Sequence, residues 1–114
     1  MNPQEITASE LKAMLESPQP PVVIDVREPF EMAYGRIPGA TPMPMGTVPH
    51  HLEELPRDRT IVAYCHLGER SWQVALFLAR RGLPDVKSLT GGIEAWLRSR
   101  CTQRQWRAAR SQTR

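Results

Sequence analysis

The sequence predicts an α/β domain on a mainly parallel sheet, and three observations carry that reading. Val22-Val23-Ile24-Asp25-Val26 and Thr60-Ile61-Val62-Ala63-Tyr64 are near-continuous β-branched or apolar runs, the pattern of strands buried on both faces. Ser71 to Arg81 is apolar at Val74 through Ala79 and stops at Gly82, which reads as a helix. Strand-like and helix-like segments alternate along the chain, and such alternation favours parallel pairing through helical crossovers.

Each element has a local cause. Ile6 reads as an entry strand, and Thr7-Ala8-Ser9-Glu10 has the spacing of a capping box, so a short helix is expected to about Ser17 with Leu11, Met14 and Leu15 on one face. Pro20-Pro21 leads into the strand that starts at Val22. Pro29 suits the first position of a short helix and Gly35 its end, after which Met43 falls in a brief edge strand. Thr47 is the expected cap of a short helix carrying His50, His51, Leu52 and Leu55, ended by Pro56. The helix from Ser71 is apolar around most of its circumference and is expected to be largely buried. Val86 to Leu89 is a further strand, Thr90-Gly91-Gly92 a turn, and Ile93, Trp96 and Leu97 open a last helix.

With 114 residues there is room for one core, and 40% apolar and 24% charged residues exclude a disordered or low-complexity chain. The longest apolar run, Val74 to Ala79, is too short for a membrane span, and no basic start followed by an apolar stretch suggests a signal peptide. Cys65 and Cys101 are the two cysteines and form no C-x-x-C pair, so reduced thiols in a cytoplasmic protein are expected. The net charge of +3 is uneven: residues 98–114 hold six arginines and no acid, whereas residues 1–97 hold nine bases against twelve acids. A nucleic-acid binder is therefore not expected, although the tail alone could touch an anionic surface.

Cys65 is the residue with the clearest chemistry. It follows the second strand directly, and in open parallel sheets ligands bind beyond the carboxyl ends of the strands. The loop Cys65-His66-Leu67-Gly68-Glu69-Arg70 then feeds the helix expected from Ser71. Free amides and the dipole at a helix start favour an anion, Gly68 lets successive amides turn inward, and Arg70 adds positive charge. A thiolate at Cys65 gains from all three. Asp25 and Arg27, at the end of a buried strand, read first as a structural ion pair supporting the nearby loops. His66 could pair with the thiolate or face solvent. A zinc site from His50, His51, His66, Cys65 and Cys101 lacks ligand spacing, and Trp72 and Trp96 read as packing residues.

Four segments together carry a family resemblance. Cys65-His66-Leu67-Gly68-Glu69-Arg70-Ser71, Val23-Ile24-Asp25-Val26-Arg27-Glu28, Gly35-Arg36-Ile37-Pro38-Gly39-Ala40 and Leu89-Thr90-Gly91-Gly92-Ile93-Glu94-Ala95-Trp96 resemble a single-domain rhodanese, a thiosulfate sulfurtransferase. The resemblance implies a rhodanese-like domain over residues 1–97, with a five-stranded, mainly parallel sheet flanked by helices on both faces. Residues 98–114 are left as a basic helix extension or tail. It implies that Cys65 attacks the sulfane sulfur of a small donor, holds it as a persulfide and passes it to a thiol or cyanide acceptor. His66, Leu67, Gly68, Glu69, Arg70 and Ser71 would bind the substrate, Asp25 and Arg27 would support them, and neither metal nor organic cofactor is called for.

Arg36 stands where many relatives have His. Glu69 is the weightier departure, because its carboxylate would cancel Arg70 and repel dianionic thiosulfate, favouring a persulfide or organic thiol compound as donor. Two rival functions compete. A cysteine phosphatase or arsenate reductase also sets a thiolate in an amide-lined loop, but its loop has five residues between Cys and Arg, and here four separate Cys65 from Arg70. A non-catalytic rhodanese-like sulfur-carrier or regulatory module usually lacks the cysteine that this chain keeps.

Overall fold

The computed structural model describes residues 2–99, and the arginine-rich segment from residue 100, Cys101 included, lies outside them. Five strands, β1 (Gln4–Ile6), β2 (Val22–Asp25), β3 (Thr41–Pro42), β4 (Ile61–Tyr64) and β5 (Val86–Leu89), form one sheet in the order β1-β5-β4-β2-β3. All four pairings are parallel. Among the described residues, α1 (Ala8–Leu15), α2 (Glu69–Arg80) and two 3-10 segments, Pro29–Tyr34 and Met45–Glu54, make the crossovers, and α3 (92–99) follows β5.

Period-two alternation in the central strands divides the core into two layers. Ile61, Ala63 and Cys65 of the β4 line pack with Ile24, Val26, Val74, Ala75 and Leu78 on one face. Val62 and Tyr64 pack with Val23, Leu11, Ile93 and Trp96 on the other. One face is thus roofed by α2 and the Met45–Glu54 segment, the opposite face by α1 and α3. A strand covered on both sides needs apolar side chains at nearly every position, which is why β2 and β4 read as continuous runs.

Local signals set most boundaries. The capping box holds at α1, where the Thr7 amide donates to Glu10 Oε1 at 2.8 Å and the Glu10 amide to Thr7 Oγ1 at 3.1 Å. That helix ends at Leu15, two residues before the expected Ser17. Thr47 does not cap the helix it precedes in sequence; it lies inside the 3-10 segment, with both its amide and its hydroxyl donating to the Pro44 carbonyl at 2.7 Å. The helix expected from Ser71 begins at Glu69, because Gly68 takes φ +114° at its N-cap and turns the chain early. α2 is also less buried than expected: Val74, Ala75, Leu78 and Ala79 face the core, while Leu76 and Phe77 are only half-buried. Four residues, 65–68, therefore separate strand from helix, and Glu69 and Arg70 belong to its first turn.

Candidate active site

Cys65 is the first residue after β4 and is 1% exposed, with its sulfur among donors supplied by the chain that follows it. The Gly68 amide reaches Sγ at 3.0 Å and the Ser71 amide at 3.4 Å. The Ser71 hydroxyl lies 3.5 Å from Sγ, 3.2 Å from the Gly68 carbonyl and 2.8 Å from Ser88 Oγ. Ser71 and Ser88 are both buried, so a two-hydroxyl chain runs from β5 to the sulfur. The two amides aimed at one buried sulfur stabilise negative charge there without solvent.

The amides face inward because the carbonyls are held outward. The Ile93 amide donates to the Cys65 carbonyl at 2.8 Å and the Glu94 amide to the His66 carbonyl at 3.4 Å. The start of α3 thus spends its unpaired donors on the loop. Gly92 makes the approach possible: a Cβ there would stand 2.4 Å from the carbonyl oxygens of both Cys65 and His66.

Arg70 is turned to Glu31, with its two terminal nitrogens 2.6 Å and 2.8 Å from the carboxylate oxygens. The carboxylate that meets the Arg70 charge is thus Glu31 and not the neighbouring Glu69, which is exposed and lines a cleft with Leu67, Gly68, Trp72 and Thr90. Hydrogen bonds from Arg70 hold the Glu31 carboxyl down to about 2. His66 faces Glu94 at 3.2 Å from an exposed position, so the structure pairs its ring with a carboxylate.

Asp25 and Arg27 lie on the sheet face opposite Cys65. Arg27 Nε and Nη2 meet the two Asp25 oxygens at 2.9 Å and 2.8 Å, and the Tyr64 hydroxyl donates to Asp25 Oδ2 at 2.7 Å. Burial pushes the Asp25 carboxyl up, but the donors from Arg27 and Tyr64 outweigh it and leave it below the usual carboxylate range. Burial lifts the Tyr64 phenol to about 12. The guanidinium also donates to the carbonyls of Glu31 at 3.1 Å and Gly35 at 2.7 Å. This network positions the segment that holds Glu31 and, through it, Arg70.

Glu31, Tyr64 and Ser88 were not legible as site residues from the sequence. Glu31 is 39 positions from its partner, with a closer decoy at Glu69. A signal existed for Ser88, a small hydroxyl set among apolar positions of a buried strand. Among the described residues, no cluster of three His, Cys, Asp or Glu side chains is arranged to hold a metal.

The sheet order, the cysteine at the carboxyl end of the central strand and the amide-lined turn behind it define a class of cysteine-centred parallel α/β domains. The chain belongs to the rhodanese-like domain family, whose model matches residues 7–99. It is 39% identical over 94 residues to a sulfurtransferase of Allochromatium vinosum, covering 82% of this chain and 88% of that one. It is 38% identical to the putative sulfurtransferase YtwF of Bacillus subtilis, covering 84% and 92%. A rhodanese-like domain protein of Staphylococcus aureus superimposes with a TM-score of 0.76 at 35% identity, over 82% of this chain and 90% of that one. No helix among the described residues is long and apolar enough to cross a membrane.

Proposed function

We propose that this protein transfers sulfane sulfur through a persulfide on Cys65. The observation that carries the reading is the placement of Sγ 3.0 Å and 3.4 Å from the amides of Gly68 and Ser71, in a turn whose carbonyls are bound elsewhere. Relatives named sulfurtransferase, matched over most of their length, support the same chemistry.

The reaction needs two displacements. Cys65 Sγ, as thiolate, attacks the outer sulfur of a donor; the new S–S bond forms as the donor's S–S bond breaks, and sulfite or a thiolate leaves with the electron pair. The persulfide retains the negative charge that the amides accommodate. A thiol or cyanide then attacks the outer sulfur and returns Cys65 to its thiolate. Gly68, Ser71 and the first turn of α2 serve both steps, and Arg70, clamped by Glu31, fixes the far side of the turn.

Thiosulfate treatment should add the mass of one sulfur atom to the peptide containing Cys65, and cyanide should remove it as thiocyanate. Cys65→Ser should abolish both events while Cys101→Ser retains them. Sulfur found on Cys101, or phosphate-ester turnover without any persulfide, would refute the proposal.

A further inference from the structure

The surroundings of the Cys65 sulfur carry more negative charge than a site for an inorganic dianion should. Arg70 is the one guanidinium of the turn, and its charge is met by the Glu31 carboxylate at 2.6 Å. Glu28, at the start of the same 3-10 segment, is exposed and near enough to act on Arg70, as is Cys65 itself. Glu69 stands exposed in the turn, and Glu94 flanks it beside His66. Glu31 and Glu28 thus act on Arg70, Glu69 adjoins it in the chain and Glu94 lies beside His66 of the same turn, four carboxylates to the one guanidinium of the turn.

The same segments expose apolar surface. Leu67, in the turn, is 56% exposed, and Phe30 and Tyr34, on either side of Glu31, are 74% and 82% exposed. Charge and surface therefore favour the same kind of substituent: one that carries no negative charge and offers carbon to cover these side chains.

We propose that Cys65 draws its sulfur from an organic persulfide whose carbon substituent is apolar or cationic, and that the carboxylates around the turn select against thiosulfate. This rests on the persulfide reading above and narrows its donor. In the loading step the Cys65 thiolate attacks the terminal sulfur of R–S–SH; the Cys65 S–S bond forms, the donor S–S bond breaks, and R–S⁻ departs with the electron pair, so charge and redox state balance. With thiosulfate the same attack would bring a dianion to an acidic rim and release a sulfite dianion from it.

Sulfane donors with related leaving chemistry but different charge test this on the full chain: thiosulfate (dianion), benzenethiosulfonate (monoanion with an apolar ring) and 2-aminoethanethiosulfonate (zwitterion), with cyanide as acceptor. Raising salt from about 10 mM to about 150 mM shortens the screening length from roughly 30 Å to roughly 8 Å. Over that range kcat/KM for thiosulfate should rise roughly three- to tenfold, benzenethiosulfonate less, and the zwitterion should stay nearly flat. The double variant Glu28→Gln, Glu69→Gln should raise the ratio of thiosulfate to zwitterion kcat/KM by roughly fivefold or more. A thiosulfate rate that is flat or falls with salt overturns the proposal, and this needs no variant. So does an unchanged ratio in a folded double variant. Failure of every donor to place sulfur on Cys65 would instead remove the underlying persulfide reading, which the peptide mass reports separately.

Discussion

Glu31 engages two arginines through two different groups. Its carbonyl accepts from Arg27, which ties it to the buried Asp25 pair, and its carboxylate holds Arg70 at the end of the cysteine turn. A residue in a short 3-10 segment thereby transmits the rigidity of one sheet face to the turn built on the other. Because its carboxyl is held down to about 2 from an ordinary 4.5, the ion pair contributes stability that is fully present above 4.5 and is lost as pH falls toward 2. Glu31→Gln should cost about 1–2 kcal/mol at neutral pH, a modest value because Arg70 is partly solvated. The gap from the parent protein should close between 4.5 and 2. Urea unfolding of both proteins across that range measures it, and a gap that stays constant would show that the carboxylate charge is not what Glu31 contributes.

At the scale of elements, the cysteine turn is held in shape from three sides: β4 sets its start, α2 its end, and α3 takes its carbonyls. The third contact depends on Gly92, at φ +56° with no room for a side chain. Gly39 is a natural comparison, since its φ is +82° yet nothing stands within 4 Å of the space a Cβ would occupy. Gly39→Ala should cost about 1 kcal/mol, the backbone penalty alone. Gly92→Ala should cost about 2–4 kcal/mol, because overpacking against backbone adds to that penalty. It should also lower persulfide formation on Cys65, since the amides of the turn can face inward only while its carbonyls are held. Denaturant unfolding and peptide mass check the two effects, and equal costs at the two glycines would count against a tight α3 contact.

For the whole molecule, the two-layer core of the described residues falls, apart from Ile6 on β1, within the span that the rhodanese-like family matches, residues 7–99. The arginines beyond it lie outside the described residues, so the relation of the tail to the site is open to experiment. Deleting residues 102–114 should leave sulfur transfer within about twofold of the full chain and stability nearly unchanged, since every described residue of the two-layer core is kept. Assays of persulfide formation and of thermal unfolding decide it. A folded but inactive truncation would make the tail part of the site.

The strands β2 and β4, the capping box before α1, the position of Cys65 and the family segments were legible in the sequence because each is written in residues close together along the chain. Asp25 and Arg27 were recognisable as an ion pair for the same reason, being two apart on one strand face. Partners far apart in sequence were not. Arg70 meets Glu31 across 39 positions, Ser71 meets Ser88 across 17, and Tyr64 reaches Asp25 across 39. Local spacing pointed to Glu69 as the partner of Arg70, but the fold brings the Pro29–Tyr34 segment to the turn, and a bidentate carboxylate at 2.6 Å holds the guanidinium there. The start of α2 was missed by two residues because Gly68, free to take a positive φ, lets the helix begin before the apolar face does. What the sequence determined by itself is the class of fold and the thiol at its centre, since periodicity and strand ends are local properties. Which groups surround that thiol, and with what charge, only the packing of distant segments decided.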